Sequence, residues 1–401
     1  MEQLIGVVTN LAISRNEEDF VDRLNFRFTS YLFAFCSLLI TSKLYLGNAI
    51  KCWTPNEFKK GWTQYTHDYC LIENTYYLPM DDPLMPGHQT REDKELQYYQ
   101  WVQFVLILMA FCFYLPHTFW RSVNWQSGIQ VKAIVEQAVK FPALNEKERK
   151  ENIDKVTKHI ETSMSYSSRL ASNRSNIFMM AFGWVFGEHF MTWMYLITKV
   201  LFLVNICLQL SILHLFLGFS PINFLELKMG FNTNWKDTGL FPRSTMCDFE
   251  IRTKGNVQRY SVQCVLQLNM FNEKIFLVLY YWLLVLFMVT LGNFAAWILN
   301  LFSAANREDF AKKMLNGAGI SRPTHRRSPK ATDDKDSIEM AKMNTDRNPN
   351  YDVEIENYNN FIKMSTDQVL LLRLISSNAG DIAASDVTAS LYRLKFNKEK
   401  S

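Results

Sequence analysis

The sequence predicts an all-α membrane protein: a four-transmembrane-helix bundle with short β elements in disulfide-linked extracellular loops and a helical cytoplasmic domain. Three observations carry this. Apolar residues collect in four runs, each long enough for a membrane helix, which needs roughly 20 residues to cover a ~30 Å hydrocarbon core. Charged residues, 20% of the chain, fill the stretches between. The seven cysteines lie within the runs or in the first and third stretches, and none lies in the second stretch or after the fourth run. Lys and Arg number 43 against 39 Asp and Glu, leaving a net charge of +4, too small a surplus to indicate nucleic acid. Seven Cys in 401 residues is far below the density of a small disulfide scaffold. A hydrophobic content of 48% with 30 Phe excludes a disordered chain.

Residues 1–27 are expected to form an N-terminal helix and linker. Leu4, Ile5, Val8, Leu11 and Ala12 recur at helical spacing. Such a helix either lies in the membrane interface or folds into a pore, where Met1, Glu2, Leu4, Ile5 and Val8 would line the wall. The basic n-region and cleavage site of a signal peptide are not seen. The first span therefore stays in the chain, with the N-terminus in the cytosol. That span is 28–50, with Lys43 its only charge. The second, 102–120, is uncharged and contains Pro116, which is predicted to kink it and free backbone carbonyls. The third, 193–219, holds Lys199, Asn205, Gln209 and His214. The fourth, 275–302, is uncharged. Lys43 and Lys199 sit near span ends and are long enough to snorkel; Lys43 could instead line a pore. Asn205 and Gln209 share one helical face and are expected to bond a neighbouring helix.

The connections are 51–101, 121–192 and 220–274, and 303–401 is the C-terminal region. Residues 51–100 carry five Lys and Arg against eight Asp and Glu, and 121–176 carry ten against six. The positive-inside rule therefore places the second connection, both termini and the C-terminal region in the cytoplasm. Cys52 and Cys70 in the first connection, and Cys247 and Cys264 in the third, fall outside, where disulfides persist. Cys52 follows the first span almost directly and Cys264 precedes the fourth by about ten residues, while Cys70 and Cys247 lie further out, so Cys52–Cys264 and Cys70–Cys247 are the preferred pairs. Pairing within each loop stays open. Pro55 suits the start of a short helix over 56–66, and 256–266 suits a strand. Residues 121–192 form a helical cytoplasmic loop. Its Asn173-Arg-Ser175 sequon is on the wrong side for use, and its Gly183-x-x-x-Gly187 is a weak helix-packing pattern. Residues 316–350 read as a disordered linker. Beyond it, Val369–Ile375 is helical, Asn378-Ala-Gly380 is a stop, and a second helix starts near Ser385. Both are expected to dock on the cytoplasmic loop.

No His pair has metal-ligand spacing, and neither a phosphate-binding glycine loop nor a nucleophile elbow occurs. The sequence predicts no enzyme, metal or cofactor, and no nucleic-acid partner.

Tyr98-Tyr99-Gln100-Trp101-Val102, immediately before the second span, resembles the signature of the innexin family of invertebrate gap junction channel subunits. Taken alone it is an aromatic belt anchoring a helix at the interface. Cys52-Trp53-Thr54-Pro55, Thr238-Gly239-Leu240-Phe241-Pro242-Arg243 leading to Cys247, Asn272-Glu273-Lys274-Ile275-Phe276, and Asn378-Ala-Gly380-Asp381 resemble other parts of that family. Gln103 departs from it, standing where Pro is common. The resemblance implies a plasma-membrane ring, of eight subunits, homomeric or mixed with related subunits, in contact with membrane lipid. It docks at a gap junction with a ring from the adjacent cell. It also implies that the four outer cysteines are the family's, and that 1–13 folds into the cytosolic mouth. Repeated Glu2 would then form an acidic ring, and Lys43 or Lys51 would oppose it further out. Alternatives are an undocked hemichannel releasing small molecules and a non-conducting junction adhesion protein.

Overall fold

A computed structural model describes residues 18–78, 87, 91, 95–126, 129–172, 189–217, 241–322 and 349–397. In chain order its elements begin with α1 (Phe20–Tyr45), β1 (Ile50–Cys52), α2 (Lys60–Glu73), β2 (Thr75–Tyr76) and β3 (Glu95–Leu96). They continue with α3 (Val102–Gln126), α4 (Val131–Lys140), α5 (Glu146–Ser172) and α6 (Phe190–Leu217). Next come β4 (Ser244–Thr253), β5 (Asn256–Leu266) and α7 (Gln267–Phe302), and then α8 (Ala304–Gly317), α9 (Pro349–Ile362), α10 (Thr366–Ala379) and α11 (Asp381–Asn397). Helices α1, α3, α6 and α7 are long and apolar enough to cross a membrane. The expected fold class is thus the one observed.

Two compact units form. Leu24–Pro116 with Leu201–Thr290 makes one, and the described residues of Met1–Arg23, His117–Val200 and Leu291–Ser401 make the other. In the first unit, Phe33 and Ile40 of α1, Leu106 and Phe113 of α3, Ile206 and Leu213 of α6, and Leu279 and Leu283 of α7 share one core. Leu38, Phe104, Leu208 and Val285 clothe the outside of these helices, as hydrocarbon requires. A five-stranded antiparallel sheet, ordered β1-β5-β4-β2-β3, completes the unit. Strands β4 and β5 form a long hairpin. Its turn places Lys254 at φ 50° and Gly255 at φ 88°, the left-handed pair that matches strand twist.

In the second unit, α10 packs on α4 and on α11, and α11 packs on α5 and α8. The tail does dock on the cytoplasmic loop's helices. Ser365 and Gln368 form a reciprocal capping box at the start of α10. Gly380, at φ 90°, ends α10. A single residue breaks the chain direction, so α11 begins at Asp381 rather than near Ser385.

Several boundaries differ from expectation. The first span runs 20–45, not 28–50. Asp19 caps its start, with Asp22 N–H donating to Asp19 Oδ1 at 2.9 Å. The span ends because the chain turns back at Gly47, where a Cβ would sit 2.8 Å from the Lys43 carbonyl oxygen; Ile50 then joins the sheet. A π segment, Leu24–Thr29, lies within α1. Its wide turn accommodates the Thr29 hydroxyl, which donates to the Leu24 carbonyl at 2.9 Å. Helix α2 starts at Lys60, because Pro55 opens a turn instead: Phe58 N–H donates to the Pro55 carbonyl at 3.0 Å. The second span extends to Gln126, with Pro116 inside it. The third runs 190–217, and the fourth begins at Gln267. There Asn269, polar enough to read as loop, donates to the Pro242 carbonyl at 2.9 Å. The linker expected over 316–350 starts with the end of α8 and finishes on the first residues of α9; its residues 323–348 lie outside the described residues. So do Asn173, Gly183, Gly187 and Thr238–Leu240.

Candidate functional site

The sheet-bearing unit is built around its cysteines. Register sets Cys52 opposite Cys264 across β1 and β5, and the two form a disulfide. Cys70 projects from α2 to Cys247 on β4, forming the second. Both tie the first connection to the third, spanning 212 and 177 residues. Pairing within each loop, left open by the sequence, does not occur. All four half-cystines are buried. Among the described residues, Cys52, Cys70 and Cys264 are the one grouping with metal-ligand proximity, and their sulfurs are committed to these bonds.

The signature segment has a different job from a belt. Tyr98–Gln100 forms a 3₁₀ turn. Tyr99 is fully buried, and its hydroxyl donates to the Leu71 carbonyl at 3.2 Å. Gln100 Nε2 donates to the carbonyls of Leu71 and Ile72 at 3.0 and 2.7 Å and to Asn74 Oδ1 at 3.1 Å. These are the carbonyls a helix C-terminus leaves orphaned, so the segment caps α2 three residues beyond Cys70. Burial lifts the Tyr99 phenol to about 12. Only Trp101, 59% exposed, suits an interface belt; Val102 packs in the core.

The remaining sequence candidates separate. Lys43 is half-buried, its ammonium 5.2 Å from the Phe271 ring centroid, and Lys51 is exposed on β1. Met1, Glu2, Leu4, Ile5 and Val8 lie outside the described residues. Among the described residues Asn205 and Gln209 bond each other, at 3.1 Å, rather than a neighbouring helix, because i,i+4 side chains meet on one face. His214 stands edge-on to Tyr280, with ring centroids 5.9 Å apart. Gln103, buried on α3, accepts at its carbonyl from Ser37 Oγ at 3.0 Å.

Lys199 does not snorkel. In the second unit it is fully buried, and its three N–H bonds reach Asp19 Oδ2, Asp22 Oδ1 and Asn293 Oδ1 at 2.6, 2.7 and 2.7 Å. Asp22 Oδ2 accepts from the Tyr195 hydroxyl at 3.1 Å, and Asp19 Oδ2 accepts from Trp297 Nε1 at 2.7 Å. Burial pushes the Asp19 carboxyl up, but the Lys199 charge and hydrogen bond, with those from Asp22 and Trp297, outweigh it and hold it below the usual range. His117 Nδ1 lies 2.9 Å from Glu18 Oε1. Asn378 on α10 donates to the Glu18 carbonyl at 3.2 Å. Alongside, Asp367 caps α6. It accepts from the backbone N–H groups of Met191 and Thr192 and from Thr192 Oγ1, at 3.2, 2.9 and 2.6 Å. The root of α1 is thus held by α3, α6, α7 and the tail.

Comparison with known proteins follows the same lines. The Innexin family model matches residues 18–394. The chain is 33% identical over 400 residues to Innexin eat-5 of Caenorhabditis elegans, covering 97% of this chain and 90% of that one. It is 32% identical over 383 residues to Innexin unc-9 of the same nematode, covering 94% and 92%. The chain belongs to the innexin family. Innexins are gap junction channel subunits, multi-pass plasma membrane proteins that form oligomeric channels and are not enzymes.

For this innexin, sequence reasoning missed two working parts. The buried Lys199 cluster had a usable signal: one cation inside an apolar span and two carboxylates at the inner end of another, each too costly to leave unpaired. The capping role of Gln100 had none, because its acceptors lie 26 to 29 residues away and come near where β2 and β3 pair and fold the connection back.

Proposed function

We propose that this innexin subunit assembles in a ring of eight around a wide aqueous pore and docks, through the disulfide-bearing unit, with a ring in the next cell. The observation that carries this is the cross-linking of two separate connections into one sheet by Cys52–Cys264 and Cys70–Cys247. Disulfides persist outside the cytosol, which directs that unit outward and both termini inward. A rigid cap keeps backbone edges and polar groups in one orientation for a mating surface, and so lowers the ordering cost of docking.

In this reading the N-terminal helix lines the inner mouth with Met1, Glu2, Leu4, Ile5 and Val8. Repeated Glu2 favours cations there, and Lys43 and Lys51 oppose them further out. A wide pore does not strip hydration shells, so ring charges set only weak selectivity. Conduction needs no cofactor and no catalytic step. The decisive experiment pairs cells expressing the unaltered chain or Cys52→Ala and records junctional conductance. Current in the first pair and none in the second supports docking. Adhesion without current in the unaltered pair refutes conduction, and dye uptake confined to single cells refutes docking in favour of a hemichannel. Top-view images of the purified particle count the subunits.

A further inference from the structure

Two arginines occupy packed positions on neighbouring helices of the second unit. Val369–Ile375 of α10 is buried throughout except at Arg373, which is half-buried. On α8, Arg307 lies one turn before Ala311 and two before Met314, at the head of the stripe that joins the core. Helices α8 and α10 pack together. Arg373 Cζ stands 4.4 Å from the ring centroid of Phe310, which follows Arg307 at i,i+3. Helical side chains lean towards the N-terminus, so the Phe310 ring carries the Arg373 guanidinium towards the turn that bears Arg307.

A charge at such a position is ordinarily paired and hydrogen-bonded. The Nε of each arginine is instead buried without a hydrogen-bond partner. No acid stands three or four residues from either along its own helix. Among the described residues neither guanidinium has a carboxylate partner: Glu308 and Asp309, beside Arg307 in sequence, both engage Lys312 at 3.6 Å. Burial pulls Arg373 below its usual range, and no carboxylate opposes the effect.

The pair lies close to the ends of the spans. One residue, Ser303, separates α8 from α7. Helix α10 reaches α6 at one end, through Asp367 and the N–H groups of Met191 and Thr192, and the Glu18 carbonyl before α1 at the other, through Asn378. It therefore runs across the ends of two spans, at the depth of lipid headgroups. Leu299 and Phe302, at the end of α7, are exposed, as contact with lipid requires.

We propose that Arg307 and Arg373 bind a phosphate group, carried by an anionic lipid headgroup or by a small soluble phosphate compound. A guanidinium offers a planar fork of N–H donors that matches phosphate oxygens. A phosphomonoester carries close to two negative charges at neutral pH, one for each arginine. Stacking on Phe310 orients one fork in advance, which lowers the ordering cost of binding. Access from the cytosol rests on the orientation proposed above; binding does not.

The test uses the full-length channel in detergent and thermophoresis. The probes are dioctanoyl phosphatidic acid, a phosphomonoester lipid, and inorganic pyrophosphate, with dioctanoyl phosphatidylcholine for comparison. Saturable binding of at least one phosphate probe is expected, about tenfold or more tighter than that of phosphatidylcholine. Phosphatidic acid binding the tighter assigns the site to lipid; pyrophosphate binding as tightly or tighter assigns it to soluble phosphates. Arg307→Gln and Arg373→Met are each expected to weaken binding about fivefold or more, and Lys312→Gln to leave it unchanged. Arg373→Met should also raise the thermal aggregation midpoint without ligand, because it removes a half-buried charge that lacks a carboxylate partner. Should that variant fail to fold, Arg307→Gln decides. Failure of both probes to bind saturably, unchanged binding in the arginine variants, or equal weakening by Lys312→Gln would overturn the inference. A lowered midpoint in Arg373→Met with binding intact would also overturn it, leaving the arginine a packing element alone.

Discussion

Replacing Lys199 with Met removes the ammonium that the Asp19 and Asp22 carboxylates share. At 2.6 and 2.7 Å, and with an effective dielectric near 20, each attraction is worth about 6 kcal/mol. Burying three charges opposes that by several kcal/mol per ion, so the intact cluster contributes little net stability. The variant is different. It leaves two carboxylates buried beside each other, keeping, among the described residues, the Tyr195 hydroxyl, the Trp297 N–H and the Asp22 N–H as partners. Removal of one member of a buried pair costs about 3–5 kcal/mol, and that is the loss expected for Lys199→Met. Adding Asp22→Asn deletes one stranded charge and should restore more than half of it. The assay is the thermal aggregation midpoint of the purified channel across the four members of this double-mutant cycle. If Lys199→Met matches the unaltered protein, or if Asp22→Asn deepens its loss, the cluster does not hold the root of α1 as described.

Gln100→Ala should uncap α2 at a cost of about 1–3 kcal/mol, read as tenfold or faster hydrogen exchange over residues 68–76 with no change in α7. Reduction should free both cross-links. Cys70→Ala with Cys247→Ala should destabilise the cap by about 2–5 kcal/mol, seen as greater protease sensitivity of 51–101, while the Cys52 and Cys264 peptides remain joined. Burial raises the Asp367 carboxyl, and the hydrogen bonds from Thr192 and Met191 only partly offset this. A folded value above the unfolded one means the contribution of this group is complete below pH ~3.9 and is lost as pH rises through the folded value. Hydrogen exchange over 366–379 should therefore slow on mild acidification in the unaltered protein, and that share of the pH response should vanish in Asp367→Asn.

The sequence alone determined the number and rough place of the spans, because a 30 Å apolar barrier writes itself as about 20 consecutive apolar residues. It favoured Cys52–Cys264 and Cys70–Cys247, since the members of each pair lie at similar distances from the spans, but left pairing within each loop open. It also determined the family, through Tyr98–Val102. Its errors cluster where polar side chains continue an apolar helix. Asp22, Asn25 and Asn269 fall outside the expected spans, yet Asp22 bonds Lys199, Asn25 bonds Thr290 at 2.9 Å and Asn269 bonds the Pro242 carbonyl. Those partners are more than two dozen residues distant and invisible to local periodicity. The tertiary structure alone decided that Lys199 is buried, that the signature caps a helix and that Asp367 of the tail caps α6. Each depends on desolvation and hydrogen-bond geometry, which exist only once distant segments have been brought within hydrogen-bond reach of one another.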